Sequence, residues 1–165
     1  MRATRLVSLA GSIAVAGLGF SYGPASATTA TTSFSVSATV QATCLISGNN
    51  MGFGTYTGSA IAVSANLSVT CTNGTTYNVG LNPGTATGAT VTTRAMTGPG
   101  GATLSYGLYQ DSGHTTNWGQ TVGTDTKAGT GNGSAQTLTV YGNLTAAQYV
   151  TPGSYSDTIT ATITY

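Results

Sequence analysis

The chain has 165 residues, only 4% of them charged: four Lys or Arg, three Asp and one His, a formal net charge of +1. So few basic residues exclude neutralisation of a run of phosphates or attachment to an anionic membrane surface, so neither nucleic acid nor a membrane is expected as a partner. Its Val, Ile, Leu and Tyr are interleaved with Thr, Ser, Asn and Gly, which suits half-buried strands and not a disordered chain, and one all-β domain is expected.

Residues 1–27 read as a secretory signal. Arg2 and Arg5 precede an apolar stretch from Leu6 to Phe20, and Ala25-Ser26-Ala27 supplies the small residues that a signal peptidase accepts. The stretch falls short of the roughly 20 apolar residues that span a bilayer. Cleavage after Ala27 would leave two cations, Arg94 and Lys127, against Asp111, Asp125 and Asp157. Export would carry Cys44 and Cys71 into an oxidising compartment, where one disulfide between them is expected.

Next come Phe34, Val36, Ala38 and Val40, alternating with Ser35, Ser37, Thr39 and Gln41. This strand-like segment lies outside the disulfide loop. It is either the first strand of its own domain, packed in cis, or a separable extension over residues 28–41 ahead of a domain over residues 42–165. Ile61, Val63, Ala65, Leu67, Val69 and Cys71 then occupy every second position, so one face of that strand belongs to the core. Beyond the turn residues Thr72-Asn73-Gly74, Tyr77, Val79 and Leu81 suggest the returning strand of a hairpin, closed by Asn82-Pro83-Gly84.

Further strands are expected over Thr90 to Met96, around Leu104, Tyr106 and Leu108, and at Leu138 and Val140. A Gly/Thr/Asn-rich stretch from Asp111 to Ser134, holding Trp118, reads as a long loop. After Pro152-Gly153, the residues Tyr155, Asp157, Ile159, Ala161, Ile163 and Tyr165 alternate with Ser and Thr in a last strand.

The side chains needed for catalysis are scarce. Hydrolysis calls for a nucleophile beside a base or for two tuned carboxylates. There is no Glu, and the run Asp111-Ser112-Gly113-His114 has the composition of a turn. Cysteines joined in a disulfide cannot ligate a metal, and one His makes no site. Gly98-Pro99-Gly100-Gly101 lacks the Lys and helix of a phosphate loop. No enzymatic activity, metal or cofactor is expected. The Asn-x-Ser/Thr triplets at Asn66, Asn73, Asn132 and Asn143 are what chance supplies in such a composition.

Several landmarks then fall in a characteristic order: the alternating segment before Cys44, Met51-Gly52-Phe53-Gly54-Thr55-Tyr56, Val69-Thr70-Cys71-Thr72, Leu104-Ser105-Tyr106-Gly107-Leu108-Tyr109, Trp118-Gly119, and Pro152-Gly153-Ser154-Tyr155-Ser156-Asp157-Thr158. Over essentially the whole mature chain this resembles the spore coat protein U domain family, which includes the Csu-type pilins of archaic chaperone/usher pili. The resemblance implies an immunoglobulin-like β-sandwich lacking its last strand. It implies Phe34, Val36, Ala38 and Val40 as a donor strand for a neighbouring subunit. Tyr155, Ile159, Ala161, Ile163 and Tyr165 would be the acceptor groove that a chaperone also grips.

Partners implied by the resemblance are further copies or homologous pilus subunits, a periplasmic chaperone and an outer-membrane usher. The product would be a pilus at the cell surface, supporting adhesion and biofilm. A chain that stops at Tyr165, where a completing hairpin would be expected, suits that scheme. Two other readings stand beside it: a spore or cyst coat protein built by the same polymerisation, and a secreted carbohydrate- or surface-binding module presenting Trp118 and loop tyrosines.

Overall fold

A computed structural model describes residues 23–165. The expected signal therefore lies, for residues 1–22, outside the described residues. By their contacts the residues divide into two units, Met1–Ala38 and Thr39–Tyr165. In the first, residues 23–38 form no strand, and Phe34 and Val36 are 83% and 86% exposed. Alternation supplies an apolar face, but a strand also needs a ladder partner, and this segment pairs with none among the described residues.

The second unit carries eight strands: β1 (Cys44–Gly48), β2 (Ile61–Cys71), β3 (Thr76–Leu81), β4 (Arg94–Thr97), β5 (Thr103–Tyr109), β6 (Lys127–Thr130), β7 (Ala135–Leu144) and β8 (Ala161–Thr164). A five-stranded sheet runs in the order β1-β2-β7-β5-β4 and a three-stranded sheet in the order β6-β3-β8. Every pairing is antiparallel. The fold is the all-β, immunoglobulin-like sandwich expected, with a core made of the inward residues of both sheets. From the larger sheet come Val69, Leu104, Tyr106, Leu108, Val140 and Leu144, and from the smaller Tyr77, Val79 and Leu81. Cys44 and Cys71 face each other in the β1–β2 register and form the expected disulfide, their Cα atoms 4.1 Å apart.

Three sequence expectations are corrected. First, β2 and β3 do not form a hairpin: β2 pairs with β1 and β7, whereas β3 pairs with β6 and β8. The Thr72-Asn73-Gly74 turn carries the chain from one sheet to the other. Alternation states which face of a strand is buried, and both apolar faces are satisfied equally well by meeting across a sandwich.

Second, the stretch from Asp111 to Ser134 is not all loop, because Lys127–Thr130 is strand β6 at the edge of the smaller sheet. Third, the last strand is shorter than its alternation. Ser156 exchanges hydrogen bonds with Thr97 on the larger sheet, and the chain then crosses to β3, where the ladder covers only Ala161–Thr164. The inward–outward alternation persists from Tyr155 to Thr164, since packing requires it even where the backbone changes sheets.

Candidate functional site

A cleft of about 1290 Å³ opens into the sandwich. Leu104, Leu108, Val140 and Leu144 line it from the larger sheet, and Leu81 and Ala161 from the smaller. Its wall is therefore the hydrophobic core itself. The larger sheet has β1 and β4 as its edges and the smaller β6 and β8; β8 is paired on one side only, with β3. An edge strand offers unpaired backbone N–H and C=O groups to any further strand. Beside the cleft, β8 thus provides a place where such a strand could bond.

The segment between β1 and β2 is held over the larger sheet by its aromatic residues. Tyr56 donates from its hydroxyl to Thr145 O at 2.7 Å and accepts from Gln148 N at 3.0 Å. Gln148 in turn accepts from Ser105 N and donates to Ser105 O, fastening the post-β7 segment to β5. The Phe53 ring sits 6.0 Å from the Tyr106 ring, tilted by 60°. These contacts explain why Met51 to Tyr56 can be irregular and still define one wall of the cleft.

Asp157 organises the approach to β8. Its Oδ1 accepts hydrogen bonds from Thr85 N, Thr85 Oγ1 and Thr158 N, and its Oδ2 accepts one from the Tyr106 hydroxyl, all at 2.7 Å. Gly84 makes room for it, since a Cβ there would collide with the carboxylate. Burial pushes the Asp157 carboxyl up, but the hydrogen bonds from Tyr106, Thr85 and Thr158 outweigh it and hold the group below the ordinary carboxylate range. Tyr106 moves the other way: burial first, then its bond to Asp157, raises it far above the usual phenol.

Behind the cleft, Arg94 has no exposed surface and donates to four carbonyls: Nε to Asn82 O, Nη1 to Val91 O, and Nη2 to Leu81 O and Trp118 O, at 2.6 to 2.9 Å. Burial lowers its pKa, opposed by the charge interactions with Tyr106, Asp125 and Asp157. Trp118 is equally buried. Its Nε1 donates to Val79 O at 2.8 Å and its backbone N to Leu108 O at 2.9 Å, so one residue ties the two sheets together. Trp118 cannot be the contact surface of a binding module, and that expectation is corrected: the ring is large and apolar, and its one polar group is satisfied inside.

Of the proposed groove residues, Tyr155, Ile159 and Ala161 line the cleft. Ile163 is half-buried opposite Val79 in the β3–β8 register, and Tyr165 lies past the last strand, 58% exposed. Neither is among the cleft-lining residues. The proposed donor residues Phe34, Val36 and Val40 are 83%, 86% and 82% exposed, and Ala38 is exposed as well.

The Asp111-Ser112-Gly113-His114 run forms a turn, with the Asp111 carboxylate accepting from Thr115 and Thr116 and not from His114. Tyr106 and Asp157 stood in the landmark motifs and Arg94 in the charge balance, but sequence reasoning gave none of the three a role. The available signal was Asp157 itself, a carboxylate at an inward position between Tyr155 and Ile159.

A family model, the Spore Coat Protein U domain, matches residues 30–162. Among curated proteins, Protein U of Myxococcus xanthus is 35% identical over 161 residues, covering 87% of this chain and 89% of that protein. Among solved structures, a chain of the CsuC–CsuE chaperone–tip adhesion subunit pre-assembly complex from archaic chaperone-usher Csu pili of Acinetobacter baumannii superposes with a TM-score of 0.60 at 22% identity. The match covers 77% of the present chain and 41% of that one, so the protein spans less than half the length of this structural relative.

Proposed function

The chain belongs to the spore coat protein U domain family, and on that premise we propose that it is a structural subunit of a cell-surface pilus or coat, polymerised by donor-strand exchange. The observation that carries this reading is the cleft lined by core residues of both sheets beside the edge strand β8. Such an opening is an aggregation hazard unless a strand covers it. The occupant proposed is the segment Phe34 to Val40 of another copy or of a homologous subunit. Burying Phe34, Val36 and Val40 would contribute on the order of 5 to 9 kcal/mol before ordering costs, and pairing along β8 would give the strand its direction.

Each subunit would then donate at one end and accept at the other. Such a head-to-tail contact does not close and generates a filament. In this scheme residues 1–27 direct export, a periplasmic chaperone covers the cleft before assembly, and an outer-membrane usher passes subunits to the surface, where the filament supports adhesion and biofilm. The role is structural, with no catalysis, cofactor or membrane insertion.

Val36→Arg tests the reading. The variant would carry a charge into an apolar cleft that holds one carboxylate, Asp157, already bonded to Tyr106 and Thr85. The expected result is a folded, oxidised subunit that still co-purifies with its chaperone and no longer forms filaments by electron microscopy. Normal filaments would overturn the donor assignment, and loss of folding together with chaperone binding would place the strand in its own core.

A further inference from the structure

The outer face of the larger sheet carries a feature that the polymerisation reading does not use. Along that face, Tyr109 on β5 stands directly opposite Tyr141 on β7, which stands directly opposite Ser64 on β2. Directly opposed side chains on one face have Cβ atoms about 5 Å apart, so the three make one continuous row. Beside the row the face is small and polar, with Ala62, Asn66, Thr139 and Asn143, while the exposed Leu45 lies on the edge strand β1.

Tyr109 does not stand upright. A Cβ at Gly107, two residues back on the same face, would collide with the Tyr109 ring, so the ring lies along the strand in the space that this glycine leaves. Tyr109 is half-exposed, so part of its ring stays open to solvent. The hydroxyls of Tyr56, Tyr77, Tyr106 and Tyr155 are spent on internal hydrogen bonds, whereas Tyr109 and Tyr141 enter none of those bonds.

The loop beside this row is held rigid. Asp111 Oδ1 and Oδ2 accept from Thr115 N, Thr115 Oγ1 and Thr116 N, and these bonds, that from Thr116 first, hold its carboxyl down at about 2 although the group is exposed. Gln110 N donates to Thr116 O and His114 N to Asp111 O. Out of this loop His114 is presented with φ +56°, a left-handed conformation uncommon outside glycine, and its ring meets Tyr109 edge-on at 5.2 Å. Between loop and sheet lies a depression of about 250 Å³, lined by Ser64, Ser112, His114, Tyr141 and the β2 residues Ala62 and Val63.

The geometry points to a saccharide-binding site on the outer face of the larger sheet, in which Tyr109 and Tyr141 stack on a neutral sugar ring while Ser64, Ser112 and His114 bond its hydroxyls. The chemistry selects that class. A pyranose has an apolar face that matches an outward aromatic face, and a rim of hydroxyls that needs both donors and acceptors, which Ser and His supply. No Asp, Glu, Lys or Arg lines the depression, and Asp111 turns its oxygens to its own loop, so nothing here favours a charged ligand. The site lies apart from the cleft and does not depend on the donor strand.

Saturation-transfer difference NMR with cellobiose and with N-acetylchitobiose tests the proposal, because it reads ligand contact with the oxidised full chain whether it is monomeric or assembled. Transfer is expected from at least one of the two disaccharides. In Tyr109→Ala and Tyr141→Ala the affinity should fall about tenfold or more, while Tyr109→Phe retains it and all three keep the native tryptophan emission. No transfer from either sugar, or equal transfer in the two alanine variants, would overturn the site. So would sugar-independent, concentration-dependent burial of Tyr109 and Tyr141, which would make this face a contact between subunits.

Discussion

The Tyr106 hydroxyl donates a 2.7 Å hydrogen bond to Asp157 Oδ2, joining strand β5 of the larger sheet to the segment that leads into β8. Tyr106→Phe removes that bond and leaves the ring in place. It should destabilise the fold by about 1 to 2 kcal/mol in urea unfolding at pH 7, since the acceptor is charged but keeps its Thr85 and Thr158 donors.

The same pair sets a pH dependence. Asp157 is held below its ordinary value, so its contribution is present above the unfolded carboxyl range near 4 and is lost as pH falls through the folded value. Tyr106 is held above its ordinary value, so its contribution is present below about pH 10 and is lost at higher pH. Unfolding midpoints measured from pH 2 to 11 should decline at both ends, and in Tyr106→Phe the alkaline decline should shrink.

Arg94→Ala would orphan the carbonyls of Leu81, Asn82, Val91 and Trp118 in the interior. The expected cost is about 3 kcal/mol or more. Arg94→Lys should rescue only in part, because an ammonium cannot present a planar fork to four acceptors. Urea midpoints of the two variants against the parent check this order.

Trp118 is the single tryptophan, so its emission reads the core directly. The native spectrum should be blue-shifted and move to the red in one step on unfolding. Trp118→Phe leaves Val79 O without its donor and should cost roughly 1 to 3 kcal/mol by circular dichroism in urea.

The Cys44–Cys71 bridge closes a loop of sequence separation 27, worth about 3.5 kcal/mol in the chain-entropy model. The unreduced protein should show no free thiol, and reductant should lower its unfolding free energy from urea titration by that amount, with a matching fall in the urea midpoint.

How much of this was legible in the sequence follows from the range of each interaction. The alternation of Ile61 to Cys71 placed β2 at its observed bounds, and the one available cysteine pair was joined, because strand faces and disulfide partners depend on local period and on count. Phe34 to Val40 had the same alternation without becoming a strand, since a ladder needs a neighbour that no local pattern names. For the cleft, Tyr155, Ile159 and Ala161 were visible as an inward face, but Ile163, which stands opposite Val79 in the β3–β8 ladder, and Tyr165, past the last strand, do not line it, a register that no local pattern states. Only the tertiary structure could decide that β2 and β3 lie in opposite sheets, that Trp118 and Arg94 are buried, and that Tyr109 meets Tyr141. Those outcomes rest on residues brought together from separate strands, where packing across the sandwich and the satisfaction of buried carbonyls decide the arrangement.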